Sequence, residues 1–389
     1  MDSTQHPALP ASLSEEAKAN SEAWRNRLRE LEVLPITDLK QSEVNLRRAH
    51  QVLTYLLHFY VHPLPPDGEI RIPVSISLPL LQVSAELQIP PVMTYGDDVM
   101  YNWTLKEPTA DGVPTSNNLR SQASFTGAVD EEAFYLAPVR VELRGAEALR
   151  LMQNMLDDLS TGSADLRARI TQTLKAMTTV IKDLKDALLS VREDCNPDFF
   201  YRSIRPWLVG ADSDPAKRPW IFEGLERDPS LTAPTQLSGS SAAQSALIQA
   251  LDIFLGIAKS GPVADASSTS ISTPFAQRMR VYMPRRHRVF LEQLDEYGRV
   301  LREFVSGRKD AELAEAYNAA VTALKEFRDA HMIIITLYII GPSKRVAREE
   351  AEAHGRDTGM EKELKGSAGG DLARLLKDFR ERTTSALLP

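Results

Sequence analysis

Near the C-terminal end of the chain, Leu313, Tyr317, Ala320, Leu324, Phe327, His331, Ile335 and Tyr338 recur at spacings of three and four, which makes them one apolar face of a helix. His331 stands in the middle of that face. An imidazole sunk among aliphatic and aromatic side chains has two readings. It is a hydrogen-bonded core residue, or it is the axial ligand of a heme iron. Arg328 lies three residues earlier and so shares the face. A buried guanidinium needs a partner. The anionic propionates of a heme held by His331 would supply one, and so would an acidic side chain such as Asp252 with no heme at all. The residues alone leave both readings open.

Other candidate ligands are weaker. Cys195 could hold heme iron through its thiolate. It is followed by Asn196-Pro197, a helix N-cap and first-turn pair, and it lacks the glycine-rich approach of thiolate-ligated heme monooxygenases, so it reads as structural. His58 and His62 stand one helical turn apart and could chelate a metal, but no Glu or third ligand accompanies them. They read as packed or solvated. The sequence contains no Cys-x-x-Cys-His, no Gly-x-Gly-x-x-Gly, no phosphate-loop lysine and no Gly-x-Ser-x-Gly, which argues against covalent heme, dinucleotide and nucleophile-elbow chemistry.

Composition narrows the class further. The 389 residues include 46 Lys and Arg against 53 Asp and Glu, a formal charge of −7 that disfavours nucleic acid and anionic membrane surfaces. With Cys195 as the only cysteine no intrachain disulfide can form, and a reducing, cytoplasmic setting is expected. The first residues lack the basic start and apolar run of a secretory signal. The most apolar stretch, Met332 to Ile340, is too short to span a bilayer. A monomer is expected, and the Asn102-Trp103-Thr104 sequon is read as chance.

The elements that must position these residues are helices. Ser12 to about Glu32 and Leu39 to Tyr60 read as two helices. The prolines between Pro63 and Pro91 predict only short extended or helical pieces. Residues 107 to 130 read as loop, with a domain boundary near 125. Beyond it the apolar stripe Leu166, Ile170, Leu174, Met177, Ile181, Leu184, Leu188, Val191 predicts a long helix. Similar stripes run from Leu247 to Leu255, Val289 to Phe304 and Leu313 to Ile339. Residues 259 to 274 hold too little apolar content to pack. The expectation is an all-α protein with a small, mostly helical N-terminal domain, 1–125, and a large helical domain, 126–389.

Phe327-Arg328-Asp329-Ala330-His331 resembles the proximal-ligand helix of indoleamine 2,3-dioxygenases. The similarity continues through Pro91-Val92-Met93-Thr94-Tyr95-Gly96-Asp97, Asn102-Trp103, Asn196-Pro197-Asp198-Phe199-Phe200-Tyr201, Ile204-Arg205-Pro206, Phe222-Glu223-Gly224, Ser241-Ala242-Ala243-Gln244-Ser245, Tyr282-Met283-Pro284 and His287-Arg288. These blocks keep the family's order and spacing over nearly the whole chain.

The resemblance implies a large helical domain holding heme b between its helices, with the small domain and a loop covering the distal side. By the same resemblance His331 is the proximal iron ligand, Arg328 faces a propionate and Asp252 buttresses it. Phe200 and Tyr201 form an aromatic distal wall, and Arg205 binds the substrate carboxylate. Ser241 and Ala242 approach the substrate, and Ser367, in the glycine-rich stretch 366–370, belongs to a mobile lid. The implied reaction inserts both atoms of O2 across the indole C2–C3 bond of L-tryptophan to give N-formylkynurenine, with no side chain assigned as acid or base. Two departures stand out. Gly239-Ser240-Ser241-Ala242 replaces a Gly-Gly-Ser-Ala run, and Pro138 stands where some members carry a distal serine. They leave open a heme protein acting on another indole, or a sensor with weak turnover.

Overall fold

The computed structural model describes residues 15–65, 68–110, 112–162, 165–214, 216–257, 272–297, 300–354 and 372–389. The protein is all-α, with two small two-stranded sheets among the described residues. Helices α1 (Glu15–Glu30) and α2 (Glu43–Val61) occupy the segments expected. Ser42 caps α2 by accepting from the amide of Asn45.

The proline-rich stretch departs from expectation. It contains a strand, β1 (Ile70–Ile72), and then a full helix, α3 (Val74–Leu87), with Pro79 inside it. Pro73 precedes the helix with extended backbone, a geometry its ring favours. Pro79 removes one helical hydrogen bond, but burial of Ile76, Leu78, Leu80, Leu81 and Val83 offsets that loss at roughly 1.5–3 kcal/mol per side chain. Residues 107 to 130 are likewise not all loop. Strand β2 (Trp103–Leu105) pairs antiparallel with β3 (Leu119–Ser121).

The large helical unit starts with α4 (Val129–Thr161) and α5 (Leu166–Leu189). The stripe read from the sequence is the face that α5 buries, through Ile170, Leu174, Met177, Ile181 and Leu184. Two short turns follow, α6 (Val191–Asp194) and α7 (Pro197–Phe199). Strand β4 (Trp220–Phe222) then pairs parallel with β1, Ile70 opposite Trp220. Helix α8 (Ala246–Phe254) lies close against α4, because Gly145 leaves room that a Cβ would deny: it would stand 2.0 Å from Leu247 Cδ2.

Helix α9 (Ser272–Arg280) begins inside the stretch expected not to pack, most of which lies outside the described residues. The single stripe read from Val289 to Phe304 is two helices, α10 (Arg285–Tyr297) and α11 (Val300–Ser306). Val289 is exposed, while Leu291 and Leu294 point inward. Helix α12 (Ala311–Ile335) packs along α5 and carries His331. It runs through a widened turn into α13 (Gly341–His354), and α14 (Leu372–Ser385) lies back against α12. No helix among the described residues is long and apolar enough to cross a membrane.

Candidate functional site

Between these helices lies a cavity of about 320 Å³. Its wall draws Phe134, Ala137, Pro138 and Val141 from α4, Ser245 just before α8, Ile248, Gln249 and Asp252 from α8, and Phe327, Arg328, His331, Ile334 and Ile335 from α12. Leu375 and Phe379 of α14 close another side. Apolar side chains predominate, with a few polar groups converging, the composition of a small-molecule site.

His331 is half-buried because its face of α12 opens on the cavity. Burial, reinforced by the nearby positive charge of Arg328, lowers its pKa from 6.5 to about 4. The ring is therefore neutral at pH 7, with a nitrogen lone pair to offer. No hydrogen bond joins it to any described residue. A neutral, unpartnered imidazole in an apolar cavity fits an axial metal ligand. Of the partners open to Arg328, the structure shows the acidic one. Its guanidinium pairs with Asp252 and bonds the hydroxyl of Thr383, with a longer contact of 3.4 Å to the carbonyl of Phe379. Arg328 and Asp252 both still line the cavity, beside the imidazole.

Phe200 and Arg205 also line the cavity, and Tyr201 is not among the lining residues. The reason is local backbone geometry. Asn196 caps α7 by accepting from the amides of Asp198 and Phe199 at 2.9 and 3.1 Å, as the Asn-Pro pair predicted. The chain then widens into a π turn, Phe200–Ile204, in which the amide of Arg205 bonds the carbonyl of Phe200. That five-residue bond brings Arg205 beneath Phe200, where an ordinary helix would rotate it away. Tyr201 is turned aside, and the guanidinium of Arg205 lies 5.3 Å from its ring centre. Phe200 packs against Phe134 at 4.4 Å and Tyr338 at 5.8 Å between ring centres.

Ser241 and Ala242 reach the cavity on a loop fixed by two backbone crossings. A Cβ on Gly239 would meet the carbonyl oxygen of Leu208 at 2.0 Å, and one on Gly210 would meet that of Leu237 at 2.1 Å, so both positions require glycine. Gln244 does what sequence reasoning did not assign. Its amide donates to the carbonyl of Gly239 at 2.9 Å and its oxygen accepts from the amide of Tyr95 at 2.8 Å, tying the loop to the π turn Gly96–Met100. Glu142 was likewise unassigned. It accepts from Ser245 at 2.6 Å and Tyr95 at 3.1 Å, and burial raises its pKa. Ser367 and the stretch 366–370 lie outside the described residues.

The weaker candidates lie elsewhere. Cys195 is buried away from the cavity lining, and burial pushes its thiol up to about 12, far from a thiolate at neutral pH. His58 places Nδ1 2.6 Å from the carbonyl of Trp207, and His62 lies tilted against it among Trp207 and Trp220. Among the described residues no cluster of His, Cys, Asp or Glu could hold a metal ion by itself.

A sequence model described as indoleamine 2,3-dioxygenase matches residues 9–386. Indoleamine 2,3-dioxygenase of Saccharomyces cerevisiae is 33% identical over 343 residues, 86% of this chain and 73% of the yeast protein. Indoleamine 2,3-dioxygenase 1 of Rattus norvegicus is 31% identical over 366 residues, 94% of this chain and 85% of the rat protein. A protein of Haliotis diversicolor named myoglobin is 29% identical over 366 residues, 93% of this chain and 87% of its own length. Matched along almost its entire length, and with His331, Phe200 and Arg205 brought to one cavity, this chain belongs to the indoleamine 2,3-dioxygenase family of oxidoreductases.

Proposed function

We propose that the protein is a heme-dependent dioxygenase that inserts both atoms of O2 across the indole C2–C3 bond of L-tryptophan, giving N-formylkynurenine and so beginning tryptophan breakdown by the kynurenine route. The observation that carries this reading is His331, a neutral and unpartnered imidazole facing an apolar cavity. In the proposed site His331 holds the iron of heme b. Arg328, kept in place by Asp252 and Thr383, lies on the same face, where it complements the propionate charge. Heme, when bound, supplies the activation of O2.

The chain's own groups bind, orient and exclude water. Phe200 and Phe134 offer flat apolar surfaces to an indole. Arg205 supplies a planar cation that matches a carboxylate. Ser241 and Ala242 border the substrate on the loop anchored by Gln244. Pro138 has neither hydroxyl nor amide hydrogen, so it gives the substrate no hydrogen bond. Holding a flat substrate still in a dry cavity is worth several orders of magnitude in rate. We place the small N-terminal domain, 1–125, over the distal side, and the whole as a cytoplasmic monomer.

The test is direct. Purified protein, loaded with heme and chemically reduced, is mixed with L-tryptophan in air, and N-formylkynurenine is followed by absorbance and mass. Steady formation is expected. No product from fully loaded protein overturns the reading. The relative named myoglobin motivates a second one, in which the protein binds a gas without turnover. Stable, reversible O2 binding in the presence of unconsumed tryptophan would favour it.

A further inference from the structure

The cavity wall carries one group that this reading leaves idle. Asp98 sits in the π turn Gly96–Met100, is 2% exposed and lines the cavity. Its neighbour Asp97 is fully engaged. One oxygen meets His50 Nδ1 at 2.7 Å, and the other accepts from the amide and hydroxyl of Thr94, each at 2.8 Å. Asp98 is not so engaged. The Ser240 side chain hydrogen-bonds its carboxyl, yet Oδ1 has no partner among the described residues. Ser240 lines the same cavity, and it is the side chain added where the family-like run has glycine.

Burial first, then the negative charges of Asp97 and Glu131, push the Asp98 carboxyl up to about 8, against the opposing bond from Ser240. At neutral pH it is chiefly a carboxylic acid, able to give and to accept a hydrogen bond. The same cavity wall also carries Tyr95, Val99, Ala137 and Pro138, which offer an indole ring mostly hydrocarbon. An indole can reach Oδ1 only through its one ring N–H, and with that N–H turned elsewhere Oδ1 stays unsatisfied. A hydroxyl on the ring both donates and accepts, so it can satisfy Asp98 in either protonation state.

We propose that Asp98, together with Ser240, is a specificity-determining residue that hydrogen-bonds a hydroxyl on the substrate's aromatic ring, so that the cavity prefers a ring-hydroxylated tryptophan to tryptophan itself. This rests on the tryptophan reading above and sharpens its substrate class. A site built to bond a hydroxyl can reject the analogue lacking it by factors on the order of 10⁴, because the buried polar groups are then left unpaired.

The experiment uses the full-length, heme-loaded protein with L-tryptophan, its 4-, 5-, 6- and 7-hydroxy derivatives and 5-methyl-L-tryptophan. Two quantities are read: the kcat/KM ratio of each derivative to tryptophan, and the Kd ratio from the change in visible absorbance on binding, which needs no turnover. At least one hydroxy derivative is expected to exceed both tryptophan and the methyl control by about tenfold or more. Asp98→Ala should bring that ratio close to one, Asp98→Asn should keep part of it and Ser240→Gly should lower it. The ratios cancel differences in the amount of loaded protein. If Asp98→Ala does not fold, Asp98→Asn and Ser240→Gly carry the comparison. Conversion of tryptophan with no preference for any hydroxy derivative, or a preference unchanged in the substituted proteins, overturns the proposal and leaves the tryptophan reading standing. Failure of every amino acid to bind overturns both.

Discussion

At the scale of single residues, the cavity divides its work between an imidazole kept neutral and a guanidinium kept near an aromatic ring. His331→Ala is expected to abolish the visible absorbance gained on heme loading while leaving far-ultraviolet circular dichroism unchanged. A residue serving only the core would show the reverse. Arg205→Leu should raise KM for tryptophan by about tenfold or more, the cost of losing a charge-assisted bond, with heme absorbance retained. A KM that does not move would remove Arg205 from substrate binding. His331 was legible in the sequence because helical periodicity exposes any polar residue that interrupts an apolar face. Asp98 was not. Asp97 and Asp98 are identical in type and adjacent, and what separates them is His50 on α2, distant in sequence, which occupies one and leaves the other.

At the scale of elements, periodicity recovered the straight helices and missed the widened turns. The stripe on α5 and most of the stripe on α12 are the buried faces observed. The π turns Gly96–Met100, Phe200–Ile204 and Thr336–Ile340 have no composition that announces them, yet each delivers residues to the cavity: Asp98 and Val99, Phe200, and Tyr338 and Ile339. Tyr201 is absent from the cavity lining for this reason, whereas reading the segment as ordinary helix gives it a share of the cavity face. Helix α14 depends on α12 through Arg328, which bonds Thr383 and Phe379. Arg328→Ala should speed hydrogen exchange across 372–385 and destabilise the protein by roughly 3–5 kcal/mol, because Asp252 is left buried without its counter-charge. Exchange in α14 that matches the unmodified protein would contradict this coupling.

For the whole molecule, the all-α class followed from the stripes, whereas the way the two proposed domains share their cores could not. Apolar clusters cross residue 125. Tyr55 and Met93 pack with Phe125, Tyr135, Phe200 and Tyr338, while Leu57, Ile70 and Leu80 pack with Phe222, Met279 and Tyr282. Sequence patterns report which residues are buried, not which distant segments bury them. Unfolding in urea is therefore expected as one transition, with tryptophan fluorescence and circular dichroism superimposing; separated midpoints would show independent domains. Acid should weaken that single unit. Burial holds His58 down at about 4, against 6.5 when unfolded. Below pH 6.5 the unfolded chain thus takes up a proton that the folded chain refuses until about pH 4. Stability is full above that window and falls through it with decreasing pH, by up to about 1.4 kcal/mol per pH unit for one such group. His58→Asn should be less stable at pH 7 and show a shallower decline. An equally steep decline would assign the loss to other groups.

The π turn before Arg205 has a further consequence, one of counting and not of side-chain type. A five-residue bond needs one more residue per turn than an ordinary helix. Closing the turn into a normal helix at full length would carry the guanidinium about 100° round, off the cavity face, whereas deleting one amino acid between Phe200 and Arg205 at the same time would leave the arginine four residues on, still beneath Phe200. Chain length and turn width are thus tied together across this stretch, and changing either one alone breaks the register between the two side chains.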